Sequence, residues 1–350
     1  WRDMARITVK ISKSYNVHIG HSLIKSLRVY LSNLNLGKKV VLVTSHSLNN
    51  LHSNKLEKEL EALGLEVKKY LISDGDISKN ISEYFNLINF LSNSKITKSD
   101  TIIGFGGSSV IELAGFCAAT YHRGINFISI PTSLASMIEN SVGGKTGLNL
   151  VGIKDLIGVY FYPLVVLCDL DFLETLPEEE WENGLVSLIK YAILIGDDFF
   201  DILMQDDYKK YIDKLIEDVV AYKREIVEID ENNLWESHIL DLGNIFAKAI
   251  MTLSENSIPY GKALAMGINK IAYVSYKSAG LQKRDYNKII NLLEKYNLRL
   301  SLPFSLNLIV DTIKNDNNIY NNSFDIALIN KIGRCFVEKV PVDRLDEFFV

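Results

Sequence analysis

Short apolar, β-branched runs alternate with longer amphipathic stretches through the first part of the chain. "KVVLVTS" (39–45) reads as a strand, and residues 51–63 after it read as a helix. "LEVKKYLIS" (65–73) predicts a second strand, and "ISKNISEYFNLINFL" (77–91) places apolar residues at helical spacing. "DTIIGFGG" (100–107) is a strand ending in glycines, "SSVIELAGFCAATY" (108–121) an apolar helix, and "INFISIPTS" (125–133) a further strand. Strands alternating with helices predict a parallel sheet, so residues 1–174 are expected to form a Rossmann-like α/β domain of nucleotide-binding type.

Beyond Leu176 the pattern changes. Residues 177–204, 211–230, 242–254, 261–280 and 286–297 all carry the 3.6-residue period with few strand signals, which predicts an all-α domain over 175–350. Its start is marked by Pro177 and a run of glutamates suited to a first helical turn. The Asn-rich "KNDNNIYNNSFD" (314–325) reads as an exposed polar loop.

Charge and rare residues narrow the possible functions. A formal charge of −5 without a basic block leaves no footprint for nucleic acid. No apolar run approaches the ~18 residues of a membrane span, and the N-terminal residues lack the organisation of a signal peptide, so the expected location is the cytoplasm. Cys117, Cys168 and Cys335 lie far apart in mostly apolar surroundings, which suits buried thiols. Of the six histidines only His238 lies beyond Arg123, so a zinc or iron site in the second half would have to be built almost without imidazole.

Several stretches carry candidate chemistry. "GFGGSSVIELAG" (104–115) puts Gly106, Gly107 and Ser108 where a strand hands over to a helix, leaving backbone N–H groups available to an anion. The alternative is an ordinary tight turn in which Ser109 and Glu112 form a capping box. "PTSLASMIENSVGGKTGLN" (131–149) combines Thr132 and Ser133, a small-residue helix, and a glycine pair before Lys145, an arrangement suited to a phosphorylated ligand but without the glycine spacing of a Walker motif. Lys154 follows in "GIKDLIG", and Lys190 sits in the apolar "LIKYAIL", where a snorkelling side chain at a helix edge is the plain alternative.

Taken in order from about Thr101 to Gly267, these stretches, with "CDLDFLETLPEEEWENGLVSLIKYAI", "LDLGNIF" and "YGKALAMG", resemble the 3-dehydroquinate synthase family of sugar phosphate cyclases. The resemblance implies an NAD-binding Rossmann-like domain, a helical domain and a homodimer. It also implies transient oxidation by NAD, with zinc polarising the substrate hydroxyls before phosphate is eliminated and a carbocycle closes.

The same resemblance exposes departures. The family's zinc ligands, one glutamate and two histidines, fall on Ser187, Asn244 and Tyr260. A hydroxyl, an amide and a phenol are not a zinc ligand set, so no zinc is expected. A further histidine is Lys248, a glutamate is Lys262, an arginine is Ser237 and an asparagine is Asp241, while the late Asp-Lys-Lys motif falls on Asp316-Asn317-Asn318. On the cofactor side an aspartate is Ser45 and a glutamate is Asp76, although Lys79 remains. Ser108 replaces a third glycine, Ile111 fills another glycine position, and Glu112 and Glu139 are each one carbon longer than the aspartates they replace, which puts NAD binding in question. Arg123, Thr132, Lys145, Lys154, Lys190, Thr175, Gly106 and Gly107 match, as does Lys223.

"IPYGKALAMG" (258–267) places Lys262 in the first turn of an apolar helix, where a cation meets the helix dipole unfavourably. One reading has Lys248 and Lys262 replacing the lost metal by pairing with Glu139, Asp155 and Asp241; the other leaves Lys262 exposed. Two functions follow. One is a degenerate homologue that binds a small anion or a partner enzyme. The other is a metal-independent enzyme with Lys190 or Lys262 as base or Schiff-base nucleophile.

Overall fold

The computed structural model describes residues 4–150, 153–315 and 321–350. They form two compact units, Trp1–Trp181 and Glu182–Val350. Strands in the first unit are β1 (Ala5–Val9), β2 (Tyr15–Gly20), β3 (Lys39–Ser45), β4 (Glu66–Ile72), β5 (Thr101–Gly106), β6 (Asn126–Pro131), β7 (Lys145–Leu150), β8 (Ile153–Tyr160) and β9 (Val165–Asp169). Its helices are α1 (Leu27–Leu31), α2 (His46–Leu48), α3 (Asn54–Glu61), α4 (Ile81–Asn93), α5 (Ser108–Thr120) and α6 (Leu134–Glu139).

Seven strands make one sheet in the order β1-β2-β9-β6-β5-β3-β4, parallel from β2 to β4, with β1 antiparallel at one edge. The buried strands β3 and β5 are apolar because both faces are covered, and α5 packs Ile111, Leu113, Ala114 and Cys117 into the same core as Val41, Val43, Ile102 and Phe127. From β3 the chain steps outward to β4 and then returns to the other side of β3 at β5, so the strand order reverses between β3 and β5. A crevice opens at such a reversal, beyond the carboxyl ends of the strands. Here those ends are Ser45 and Gly106. A hairpin of β7 and β8 forms a separate two-stranded sheet, and Asn149 bridges to Asn80 just before α4.

α7 (Glu178–Ile195) begins in the first unit and continues into the second, which adds α8 (Asp197–Leu203), α9 (Ile212–Ile229), α10 (Asn244–Leu253), α11 (Tyr260–Ser278), α12 (Lys283–Lys295), α13 (Leu306–Lys314) and α14 (Leu345–Phe348). α7 and α8 are separate helices because Gly196 takes φ +123°, a conformation that interrupts the helical path. The helical unit also carries an antiparallel pair, β10 (Ser323–Lys331) and β11 (Arg334–Pro341), beyond the wholly helical pattern the sequence predicts. β10 starts inside the Asn-rich segment read as a loop. Its buried run from Ile326 to Ile329 packs on α11, where the Ser275 hydroxyl accepts the Ile329 N–H at 3.0 Å. Asp316, Asn317 and Asn318 lie outside the described residues.

Candidate functional site

In the first unit the candidate site is a polar strip along the carboxyl edge of the sheet. Gly106 is required by packing, since a Cβ there would lie 2.6 Å from Val110 Cγ2. Gly107 faces open space, with only Ser133 Oγ within 4 Å of a Cβ placed on it. It is also the N-cap of α5 and supplies no side-chain cap, so the first-turn N–H groups are not covered by a capping side chain. The Thr132 amide donates to the Gly106 carbonyl at 3.0 Å, and Ser133 caps α6 in a reciprocal capping box with Ser136. Thr132 and Ser133 therefore lie beside the turn that Gly106, Gly107 and Ser108 form.

The expected capping box at α5 does not form. The Ser109 hydroxyl donates instead to Asp76 Oδ1 at 3.1 Å, and Glu112 turns to Lys79, with Lys79 Nζ 2.5 Å from Glu112 Oε2. The cause is a buried cation. Lys79 is only 3 % exposed and also donates to Asp155, so a carboxylate beside it is worth more than a cap on a solvated helix end. The Asn140 amide donates to Glu112 Oε1 at 2.8 Å and fixes the carboxylate from its other side. Lys154 lies 3.2 Å from Asp76 Oδ2, which also accepts from Asn149 Nδ2 at 3.1 Å.

Five charged side chains thus interlock: Lys79, Lys154, Asp76, Glu112 and Asp155. Burial opposes the Lys79 charge, but Glu112, Asp155 and Asp76 outweigh it and raise its pKa above the ordinary lysine value. Burial likewise works against the Asp76 carboxylate, yet Lys154 and Lys79 hold it below the usual range. Next along the edge, Asp74 accepts from the Ser47 hydroxyl, and Ser47 lies 3.2 Å from the Ser45 hydroxyl. Asp74, Asn140 and Asn149 escaped the sequence reading because a lone acid or amide, whether in a turn, at a helix end or near the end of a short strand, carries no periodic signal.

Other expected residues are dispersed. Arg123 is exposed beyond the C-terminal end of α5, a helix of 13 residues and so about 20 Å long, far from the glycine turn at its start. Lys145 is exposed at the start of β7, four residues before Asn149. Glu139 ends α6 beside Asn140. Thr175 is 2.7 Å from His52 Nε2 through its hydroxyl. Ile111 does not fill the dinucleotide edge: it is 3 % exposed and packs beneath α5, its Cδ1 3.3 Å from where a Cβ on Gly104 would lie.

In the second unit, the positions that the resemblance assigns to metal ligands lie on α7, α10 and α11. The Tyr260 hydroxyl donates to Asn244 Oδ1 at 2.6 Å, and Asn244 Nδ2 donates to Asp241 Oδ1 at 2.8 Å. α7 meets the start of α11 closely, since Asn183 Oδ1 accepts the Gly261 N–H at 3.1 Å and a Cβ on Gly261 would clash with it. Ser187, one turn after Asn183, is fully buried and its hydroxyl has no hydrogen-bond partner among the described residues. Lys190 is also buried, with Nζ 4.8 Å from the Tyr191 ring centre, and does not snorkel to a helix edge. Lys262 is exposed and Lys248 half-buried. Among the described residues of the second unit neither forms an ion pair with Asp241, one of the three acids expected to partner them. The exposed first turn of α11 solvates Lys262 at little cost, and that removes the need for a partner.

Comparison with known proteins agrees with this architecture. Residues 69–183 match the 3-dehydroquinate synthase N-terminal family and residues 184–319 the corresponding C-terminal family. The chain belongs to the 3-dehydroquinate synthase family. It is 34 % identical over 337 residues to a 3-dehydroquinate synthase of Clostridium perfringens, covering 95 % of this chain and 96 % of that one. To the enzyme of Clostridium acetobutylicum it is 32 % identical over 341 residues, 93 % of this chain and 94 % of the other. Among solved structures, a 2-deoxy-scyllo-inosose synthase complexed with carbaglucose-6-phosphate, NAD+ and Co2+ superposes with a TM-score of 0.87 at 18 % identity, covering 99 % of both chains. A 2-epi-5-epi-valiolone synthase from Streptomyces hygroscopicus with NAD+ and Zn2+ gives 0.84 at 20 % identity over 98 % of both.

The residues present suit the two groups the family implies to different degrees. For a metal they do not fit: the Asn244 and Tyr260 oxygens are engaged with each other, and the buried Ser187 hydroxyl is a poor zinc donor. For a dinucleotide the fit is divided. The open Gly107 turn suits the close approach of a pyrophosphate, while the lysines beside it already hold the chain's own carboxylates.

Proposed function

We propose that this chain is a dehydroquinate synthase-like protein without dehydroquinate synthase activity, which needs no metal and acts by binding a small anion or a partner enzyme, as a homodimer. One observation carries the reading: the hydrogen-bonded run Tyr260–Asn244–Asp241 stands where the resemblance places two zinc-binding histidines. Each link pairs a donor with an acceptor. Together they engage the Asn244 and Tyr260 oxygens with groups of the chain itself, which supports the reading that these two positions do not serve as metal ligands. The serine at the third position supports the same reading, because a neutral hydroxyl replaces a charged oxygen ligand.

The test combines metal content with turnover. Purified protein incubated with zinc and then dialysed is analysed for metal, and phosphate release from the family's sugar phosphate substrate is followed with NAD and zinc present. Zinc well below one per chain and no phosphate release are expected. One tightly held zinc per chain, or release at rates of an ordinary family enzyme, would overturn the proposal. Sedimentation of the same material tests the dimer, and a single monomeric species would remove it.

A further inference from the structure

We infer that Glu112 closes the dinucleotide edge of the first unit by tying up Lys79, so that the chain's own carboxylate competes with any anionic ligand at the turn before α5. Lys79 is almost fully buried and has two carboxylate partners, Glu112 Oε2 at 2.5 Å and Asp155. Glu112 is held from both sides, by Lys79 and by Asn140 Nδ2 at 2.8 Å. Lys154, the other cation of the strip, is spoken for by Asp76, whose second oxygen takes the Ser109 hydroxyl in the first turn of α5. Among the described residues, three carboxylates of this strip are set against two ammonium groups, so both lysines already face the chain's own negative charge. A pyrophosphate approaching the open Gly107 turn therefore meets like charge where a helix N-terminus alone would attract it.

Side-chain length decides the closure. Glu112 sits one turn into α5, and its carboxylate spans Lys79 and Asn140 at once. An aspartate at this position would end one methylene shorter and could not hold both contacts without moving the backbone of α5. Shortening the residue should release Lys79 toward the crevice while keeping the charge count unchanged. The effect is one of reach, separable from one of net charge.

The inference is independent of the metal reading, because it concerns the first unit alone and is read by binding. NAD affinity is measured by isothermal titration calorimetry for the full chain and for Glu112→Asp and Glu112→Gln, with melting temperature recorded with and without NAD. Wild type is expected to bind only at millimolar NAD. Glu112→Asp should melt lower than wild type without ligand and bind NAD at least tenfold more tightly. Glu112→Gln keeps the length but loses the ion pair, and should improve affinity by a smaller factor. Micromolar binding by wild type would overturn the closure. So would variants that bind no better than wild type, including the case in which none binds at all, since Glu112 would then not be what excludes the ligand. A merely structural role for Glu112 would lower the melting temperature without any gain in NAD affinity.

Discussion

Replacing Lys79 by methionine tests the interlocked strip most directly. Methionine keeps most of the volume and removes the ammonium from a side chain that is 3 % exposed. Glu112, 18 % exposed, then loses its cation, whereas Asp155 at 49 % is solvated and loses little. Breaking a buried pair by deleting one partner costs about 3–5 kcal/mol, and the solvated second acid puts the expected loss near about 3 kcal/mol. Glu112→Gln keeps an acceptor for Asn140 and should cost about 1.5 kcal/mol. The double variant has no stranded carboxylate, so it should be no worse than Lys79→Met alone, a coupling of about 1.5 kcal/mol. Urea unfolding gives the totals, and hydrogen exchange of the β5 and α5 amides reports the first unit separately. The pH dependence has a definite sign: Lys79 is raised above its unfolded value, so its contribution is complete below about pH 10 and is lost only as the pH climbs through the folded value. The difference between wild type and Lys79→Met should therefore be flat from about pH 7 to 9. Additive single variants, within about 0.5 kcal/mol, would refute the interlocked strip.

Three further outcomes are expected. Asp230 accepts the amides of Leu234, Trp235 and Ser237 at 2.8–2.9 Å, which, against burial, hold its carboxyl at about 2. Asp230→Ala should cost about 2 kcal/mol at neutral pH; because the folded value is depressed, this deficit persists above about pH 4 and fades as the pH falls toward 2, measured by urea unfolding across that range. A Cβ on Gly267 would lie 2.2 Å from the Gly243 carbonyl oxygen where α10 meets α11, so Gly267→Ala should cost about 3 kcal/mol and lower the melting temperature by several degrees; an unchanged melting temperature would contradict that contact. If the proposed function holds, chelator should leave the melting temperature within about 1 °C of the untreated protein; a drop of several degrees would point to a structural metal.

The sequence made some elements plain and hid others for identifiable reasons. β3 and β5 were legible because strands buried on both faces are short, apolar and β-branched, with polar turns on either side. β1 and β2 were not read, since "ARITV" is a half-buried edge strand and "YNVHIG" beside it is a short strand, and the alternation of each is brief. β7 and β8 were hidden by their glycines, which also suit a phosphate loop. Gly106, Gly107, Lys79 and Lys154 could be picked out one by one. That Glu112 faces Lys79 and does not cap α5 depends on how the β7–β8 hairpin brings Asp155 to the same cation, and no local pattern contains that. Lys262 does not pair with Asp241 for the opposite reason: an unfavourable dipole position is a small effect, and exposure to water settles it without that partner.

The two units have departed from the family pattern in physically different ways. In the second unit, Ser187, Asn244 and Tyr260 occupy helices that pack for their own reasons, through Gly243 against Gly267 and Asn183 against Gly261. A junction held by close backbone approach can carry side-chain hydrogen bonds at these positions, worth about 1 kcal/mol each, and keep its shape. In the first unit the charges remain and have been turned inward, each lysine of the strip held by an acid of the same chain. A set of charged metal ligands at these three positions would need several substitutions made together. The closure inferred for the first unit rests on one methylene and an ion pair and should yield to a single substitution, which makes this edge the place where a gain of anion binding is tested first.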